Sequence, residues 1–204
     1  SMACGDGQAS VPEPPSSILQ RLQEGCLNEP PLVVGREISA SSADPGEDVA
    51  AILAALQNDA AFSGIQPTRE AALMALATFR HPDGRRLLVS QEHFSRVLAT
   101  AMDSDASPML RTESLGAMHG ASEAMLAELS THLPALLQDS EYTVVSTSAA
   151  LATSLPIVSE ASLSQLEGLA HDPIVANPAA INREVDRVEA LFGVADPLAP
   201  NPAS

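Results

Sequence analysis

Residues 122–156, SEAMLAELSTHLPALLQDSEYTVVSTSAALATSLP, decide the fold. Leu126, Leu129, Leu133, Leu136 and Leu137 form one apolar stripe at helical spacing, ahead of a break at Gln138-Asp139-Ser140. Val144, Val145, Ser148, Leu151, Ala152 and Leu155 then line a second helix, which Pro156 closes because proline cannot extend it. A hydrophobic helix, an Asp-containing break and an Ala-rich helix together make a helical hairpin. Such a hairpin cannot bury its apolar face alone, so a chain that repeats it is expected to stack the copies.

Three further stretches fit the frame. Val49, Ile52, Leu53 and Leu56 lead to Asn58-Asp59, after which Ala72, Ala75, Leu76 and Phe79 turn inward on the helix opened by Thr68-Arg69-Glu70. Phe94, Val97, Leu98 and Ala101 lead to the break from Asp103 to Asp105, and Leu110-Arg111 opens a helix carrying Ser114, Ala117 and Met118. The last copy is the least regular: Leu163, Leu166 and Leu169, then His171-Asp172-Pro173, then Ile181, Val185, Val188 and Phe192. Spacings of three and four put each set on one helical face.

At these residues the chain resembles the HEAT repeats. Leu133-Pro134 matches the proline of the family's first helix, and Asp105 with Leu110-Arg111 matches its turn acid and second-helix arginine. Thr68-Arg69 matches the arginine again, 42 residues before Arg111 and within the period of about 40–47 of such arrays. Val145 departs from the pattern by standing where the arginine would be, and the Asn58 to Gln66 break is long for it. The resemblance implies an all-α fold, a right-handed α-solenoid of about four HEAT-like helical hairpins over residues 17–194. It also implies a ladder in which Arg69 and Arg111 meet turn acids.

Local chemistry agrees with helices. Asp44-Pro45-Gly46-Glu47 reads as a capping box with proline in the first turn, and Ser107-Pro108 and Asn177-Pro178 read as similar starts. Ile18, Leu19, Leu22 and Cys26 share a face, so a short helix from Ser17 to Cys26 is expected to cover the open end of the stack.

Composition sets the chemical background. The chain has 204 residues, 26 acids, ten arginines and no lysine, for a formal charge of −16. Such a surface repels phosphate backbones and argues against a nucleic-acid partner. No run approaches the ~20 apolar residues of a membrane span. Ser1-Met2 reads as a tag scar, and Ala3-Cys4-Gly5 resembles the cleavage region of a bacterial lipoprotein. That resemblance implies lipidation at Cys4, a Pro/Ser-rich tether through residue 16 and a periplasm-facing place in a bacterial envelope; the alternative is a cytoplasmic protein with a disordered leader. Residues 195–204 read as a disordered Pro-rich tail.

Signs of catalysis are few. The chain has no Gly-rich phosphate loop, nucleophile elbow or paired-histidine motif, and its five histidines lack ligand spacing, so neither cofactor nor metal is expected. Arg80, Arg85 and Arg86 gather three of the ten arginines in seven residues, a patch suited to a carboxylate or phosphate of a partner. Arg69, Glu70, Arg111, Glu113, Thr147, Arg183 and Asp186 are expected along the row of second helices. These features point to a non-catalytic scaffold that binds another protein. The alternatives are an enzyme or enzyme-accessory HEAT protein of the bilin-lyase type, and a self-associating structural protein.

Overall fold

A computed structural model describes residues 17–58, 62 and 66–172. Cys4, Arg183, Asp186 and the second helix expected at 181–192 lie outside the described residues. Those described are all-α, with nine α-helices and no strand among them. In chain order these are α1 (Ile18–Gly25), α2 (Pro31–Ala40), α3 (Pro45–Gln57), α4 (Gln66–Thr78), α5 (Gln91–Met102), α6 (Pro108–Gly116), α7 (Glu123–Leu136), α8 (Tyr142–Ala152) and α9 (Glu160–Ala170). A 3₁₀ turn, Ala117–Gly120, continues α6.

Helix starts follow directly from side-chain chemistry. Ser17, Asp44, Ser90, Ser107, Ser122 and Ser159 each accept the backbone N–H three residues on, satisfying a donor that the first turn leaves without a partner. Pro31, Pro45 and Pro108 sit in first turns, where the missing N–H costs nothing. Asp103 closes α5 and accepts from the Asp105 N–H, so the acids of that break make a turn.

The helices pack mainly against others close to them in the chain. Consecutive helices touch as α1/α2, α3/α4, α4/α5, α5/α6 and α7/α8, and α1 also touches α4. Each odd-numbered helix also touches the next odd one, from α1 to α9, and each even-numbered helix the next even one, from α2 to α8. Helix α2 is absent from the sequence expectation, which placed a single capping helix at this end; the structure instead makes α1 the first arm of a hairpin. Val34 and Ile38 of α2 are buried, and Gly35 lets its backbone lie against that of α4. The Ser39 and Thr78 hydroxyls bond across this contact at 2.8 Å.

One apolar core runs from Ile18 through Phe79 and Phe94 to Val144 and Leu151. A smaller cluster of Leu133, Leu137 and Ala152 extends it towards Leu166 and Leu169 of α9, while Leu163 on the same helix is exposed. His93 is wholly buried between α5 and α4. Its Nε2 lies 2.7 Å from the Leu76 carbonyl, and its Nδ1 accepts the Val89 N–H at 3.3 Å. A neutral ring with Nε2–H donating satisfies both contacts, and a second proton would leave the Val89 N–H facing a donor.

Burial therefore holds the His93 pKa below that of a free histidine. The unfolded chain takes up a proton below ~pH 6.5 while the fold resists it, so stability is full above that value and falls as pH drops towards the folded pKa. We expect the urea midpoint to fall between pH 7 and 5.5, with a slope of at most ~1.4 kcal/mol per pH unit. A His93→Gln variant should lose that slope. A parent midpoint that does not change over this range would refute the assignment.

Candidate functional site

Between α4 and α5 the chain folds into a short hairpin that carries three arginines. Phe79, fully buried, anchors it and accepts the Leu87 N–H at 3.0 Å, while Arg80 and Arg86 pair across an isolated antiparallel bridge. The His81 N–H donates to the Arg85 carbonyl and the Gly84 N–H to the His81 carbonyl, each at 2.8 Å. Gly84 has φ +87°, a left-handed conformation that closes this turn and that side chains disfavour.

The three arginines have different surroundings. Arg85 stands 77% exposed, and its Nε donates at 2.7 Å to Asp83, whose carboxyl the Arg85 N–H and guanidinium hold below the usual range. Arg80 is half-buried, with Nη1 donating to the Gly84 carbonyl at 2.7 Å. Arg86 points inward: Nη1 donates to the Ala77 carbonyl at 3.1 Å and Nη2 to Glu113 Oε2 at 2.8 Å, in a pair only 13% and 8% exposed. Arg86 is therefore largely taken up within the protein, and the sequence-level patch comes down to Arg80 and Arg85 at the surface.

Glu113 ties this hairpin to α6 and to a residue that sequence reading missed. Arg36, half-buried on α2, is influenced by Glu113 and Arg86, and Arg80 by Arg86, Glu113 and Arg36. Burial lowers both guanidinium pKa values; at Arg36 the Glu113 carboxylate opposes this and Arg86 adds to it, and at Arg80 the Arg86 and Arg36 guanidiniums add to it while Glu113 opposes. Glu113 thus bonds Arg86 and acts electrostatically on Arg36 and Arg80. The Pro31 start and the Val34/Ile38 spacing were the signals that could have located α2, and with it Arg36.

The remaining residues of interest lie elsewhere. Arg111 is 3% exposed; its Nη1 donates at 3.0 Å to Asp139 Oδ1, Nη2 to Asp139 Oδ2, and Nε to the Ala101 carbonyl at 2.9 Å. This fork holds the Asp139 carboxyl below the usual carboxylate range. It joins α6 of one hairpin to the break of the next. Arg69 and Glu70 are half-buried at the start of α4, roughly 16 Å along the helix from Arg80 at 1.5 Å per residue. Arg69 forms no ion pair among the described residues. The Cys26 thiol near Glu70 is pushed up by burial, then by that carboxylate. Thr147 is half-buried on α8.

Among the described residues, no group of three or more His, Cys, Asp or Glu is placed to hold a metal. No helix among them is long and apolar enough to cross a membrane. No family model, curated protein or solved structure matches the chain.

Proposed function

We propose that the chain is a HEAT-like α-solenoid acting as a non-catalytic scaffold that binds another protein along its row of even-numbered helices. The observation that carries this reading is the packing order, in which each helix meets its hairpin partner and the helix two positions along. Contact mostly between helices close in the chain is the organisation of repeat arrays, whose faces serve as extended binding surfaces. The Arg111–Asp139 fork supports it too, since it links the second helix of one hairpin to the turn of the following one, as the family resemblance implies. The Ala3-Cys4-Gly5 stretch extends the proposal to a scaffold anchored by lipid at Cys4 on a bacterial envelope membrane.

Arg85 and Arg69 offer the docking test, because one is exposed and the other forms no ion pair among the described residues. Arg85→Glu breaks an exposed pair with Asp83, a contact type worth ~0–1 kcal/mol, so the melting temperature should hardly move. Affinity capture from the source cell with crosslinking should retrieve a defined protein with the parent chain, and far less of it with Arg85→Glu or Arg69→Glu. Equal recovery with Arg69→Glu would remove the even-helix row as the docking surface, and equal recovery with Arg85→Glu would remove the hairpin.

A further inference from the structure

We propose that Asp83-Gly84 is a backbone modification site, an aspartate step that rearranges to isoaspartate and that the neighbouring Arg85 holds back. The inference concerns the exposed tip of the arginine hairpin and is independent of any partner protein.

The chemistry starts from the residue pair. The Gly84 amide nitrogen attacks Asp83 Cγ, forming an N–Cγ bond while the nitrogen gives up its proton and one carboxyl oxygen leaves as water; the product is a five-membered succinimide. Water then adds at either ring carbonyl and opens the ring. Opening at the Asp83 backbone carbonyl routes the chain through Cγ and lengthens the backbone by one methylene, with no net change in mass. Glycine favours ring closure because no Cβ crowds the approach of its nitrogen. The sequence holds two Asp-Gly steps: Asp6-Gly7, which lies outside the described residues, and Asp83-Gly84. At the second, the Asp83 side chain is 51% exposed, and apart from its chain neighbours nothing lies within 4 Å of a Cβ built on Gly84, so water and the ring both have room.

Two sets of contacts restrain the reaction. The Gly84 N–H donates to the His81 carbonyl at 2.8 Å, which occupies the attacking nitrogen within the turn. Arg85 grips the other reactant: its backbone N–H donates to Asp83 Oδ1 at 3.0 Å and its Nε to Oδ2 at 2.7 Å. These bonds fix the carboxyl in place and favour its ionised form, whereas an oxygen leaves as water only after protonation. The extra methylene would fall inside the turn closed by Gly84 at φ +87° and by the His81 N–H bond to the Arg85 carbonyl, and it would disturb the Arg80 anchor on the Gly84 carbonyl. Phe79 and the Arg86–Glu113 pair lie beyond that turn, so the change alters the tip and spares the core.

Incubation of the full chain in water enriched in heavy oxygen, followed by peptide mapping with mass spectrometry, tests the site. Each rearrangement leaves one heavy oxygen in the peptide that holds Asp83, and the map separates it from Asp6. Resistance of that peptide to an endoprotease that cuts before aspartate identifies the isoaspartate product. The urea-unfolded parent should take up label, and the folded parent about ten-fold or more slowly, since folding supplies both sets of bonds. Arg85→Ala removes the side-chain contact and keeps the backbone one, so it should label about three- to five-fold faster than the folded parent, the range open to an exposed ion pair. Arg85→Lys keeps a cation without the Nε contact and should fall between the two. Asp83→Glu, whose ring would be six-membered, should take up almost none. Circular dichroism separates local release from unfolding; should Arg85→Ala unfold, Arg85→Lys decides by itself. Absence of label at Asp83 in urea, equal rates for the folded and unfolded parent, or equal rates for Arg85→Ala and the folded parent overturns the proposal.

Discussion

Arg111→Ala is expected to cost about 3–5 kcal/mol, the range for removing one partner of a buried ion pair. Against a total stability of ~5–15 kcal/mol for a domain, such a loss is a large share of what holds the fold. The side chain holds three acceptors at once: both oxygens of Asp139 and the Ala101 carbonyl. Alanine would strand the carboxylate and the carbonyl where water reaches them poorly. Arg111→Lys restores the charge without the planar fork, so it should recover only part of the loss. The pH dependence gives a separate signature. Asp139 has a depressed folded pKa, so its contribution is present above the unfolded value of ~3.9 and is lost as pH falls through the folded value. Removing Arg111 should therefore flatten the acid limb of the stability curve as well as lower its plateau. Urea titrations followed by circular dichroism at pH 7 and pH 3 measure both effects. An Arg111→Ala variant within ~1 kcal/mol of the parent at pH 7 would mean that the fork contributes little to the fold.

The residues that proved legible in the sequence act over short range. Asp44 and Ser107 cap the helices they were expected to cap, because a cap needs only the next three residues. Leu129, Leu133 and Leu136 are buried on one face for the same reason, since a helix fixes which residues share a side. Helix α2 is obscured in the sequence because a glycine, Gly35, sits at its centre, a feature that ordinarily argues against a helix; its packing on α4 outweighs that preference. The arginine hairpin was legible as a concentration of charge but not as a geometry. Arg85 and Arg86 are adjacent, yet one is 77% exposed and the other is paired with a residue 27 positions away. Neighbouring residues of an extended segment point to opposite sides, and only the tertiary contact determines which side is interior. The influence of Glu113 and Arg86 on Arg36 depends on the same long-range information, since it follows from where α2 packs.

Gly35→Ala should destabilise the protein, although the same change in an exposed helix favours folding. A Cβ built on Gly35 would lie 2.3 Å from the Ala71 carbonyl oxygen, 2.8 Å from Met74 Cβ and 3.0 Å from the Ala75 nitrogen. Two of these three atoms belong to backbone inside α4, which cannot swing aside as a side-chain tip could. Helix α2 would have to retract, opening the contact that seats Val34 and Ile38 and stretching the 2.8 Å bond between Ser39 and Thr78. Overpacking a tight core costs ~1–3 kcal/mol and occasionally more, while alanine's better helix propensity returns at most ~1 kcal/mol. The net loss should therefore be about 1–2 kcal/mol, with larger side chains such as Gly35→Val worse. Gly168 in α9 is the matched control, since nothing lies within 4 Å of a Cβ built there. Gly168→Ala should stabilise by ~0.5–1 kcal/mol through propensity alone. In thermal melts followed by circular dichroism the two variants should move in opposite directions, by ~2–4 °C per kcal/mol for a domain of this size. A Gly35→Ala chain that melts at or above the parent temperature would show that α2 and α4 do not pack this closely.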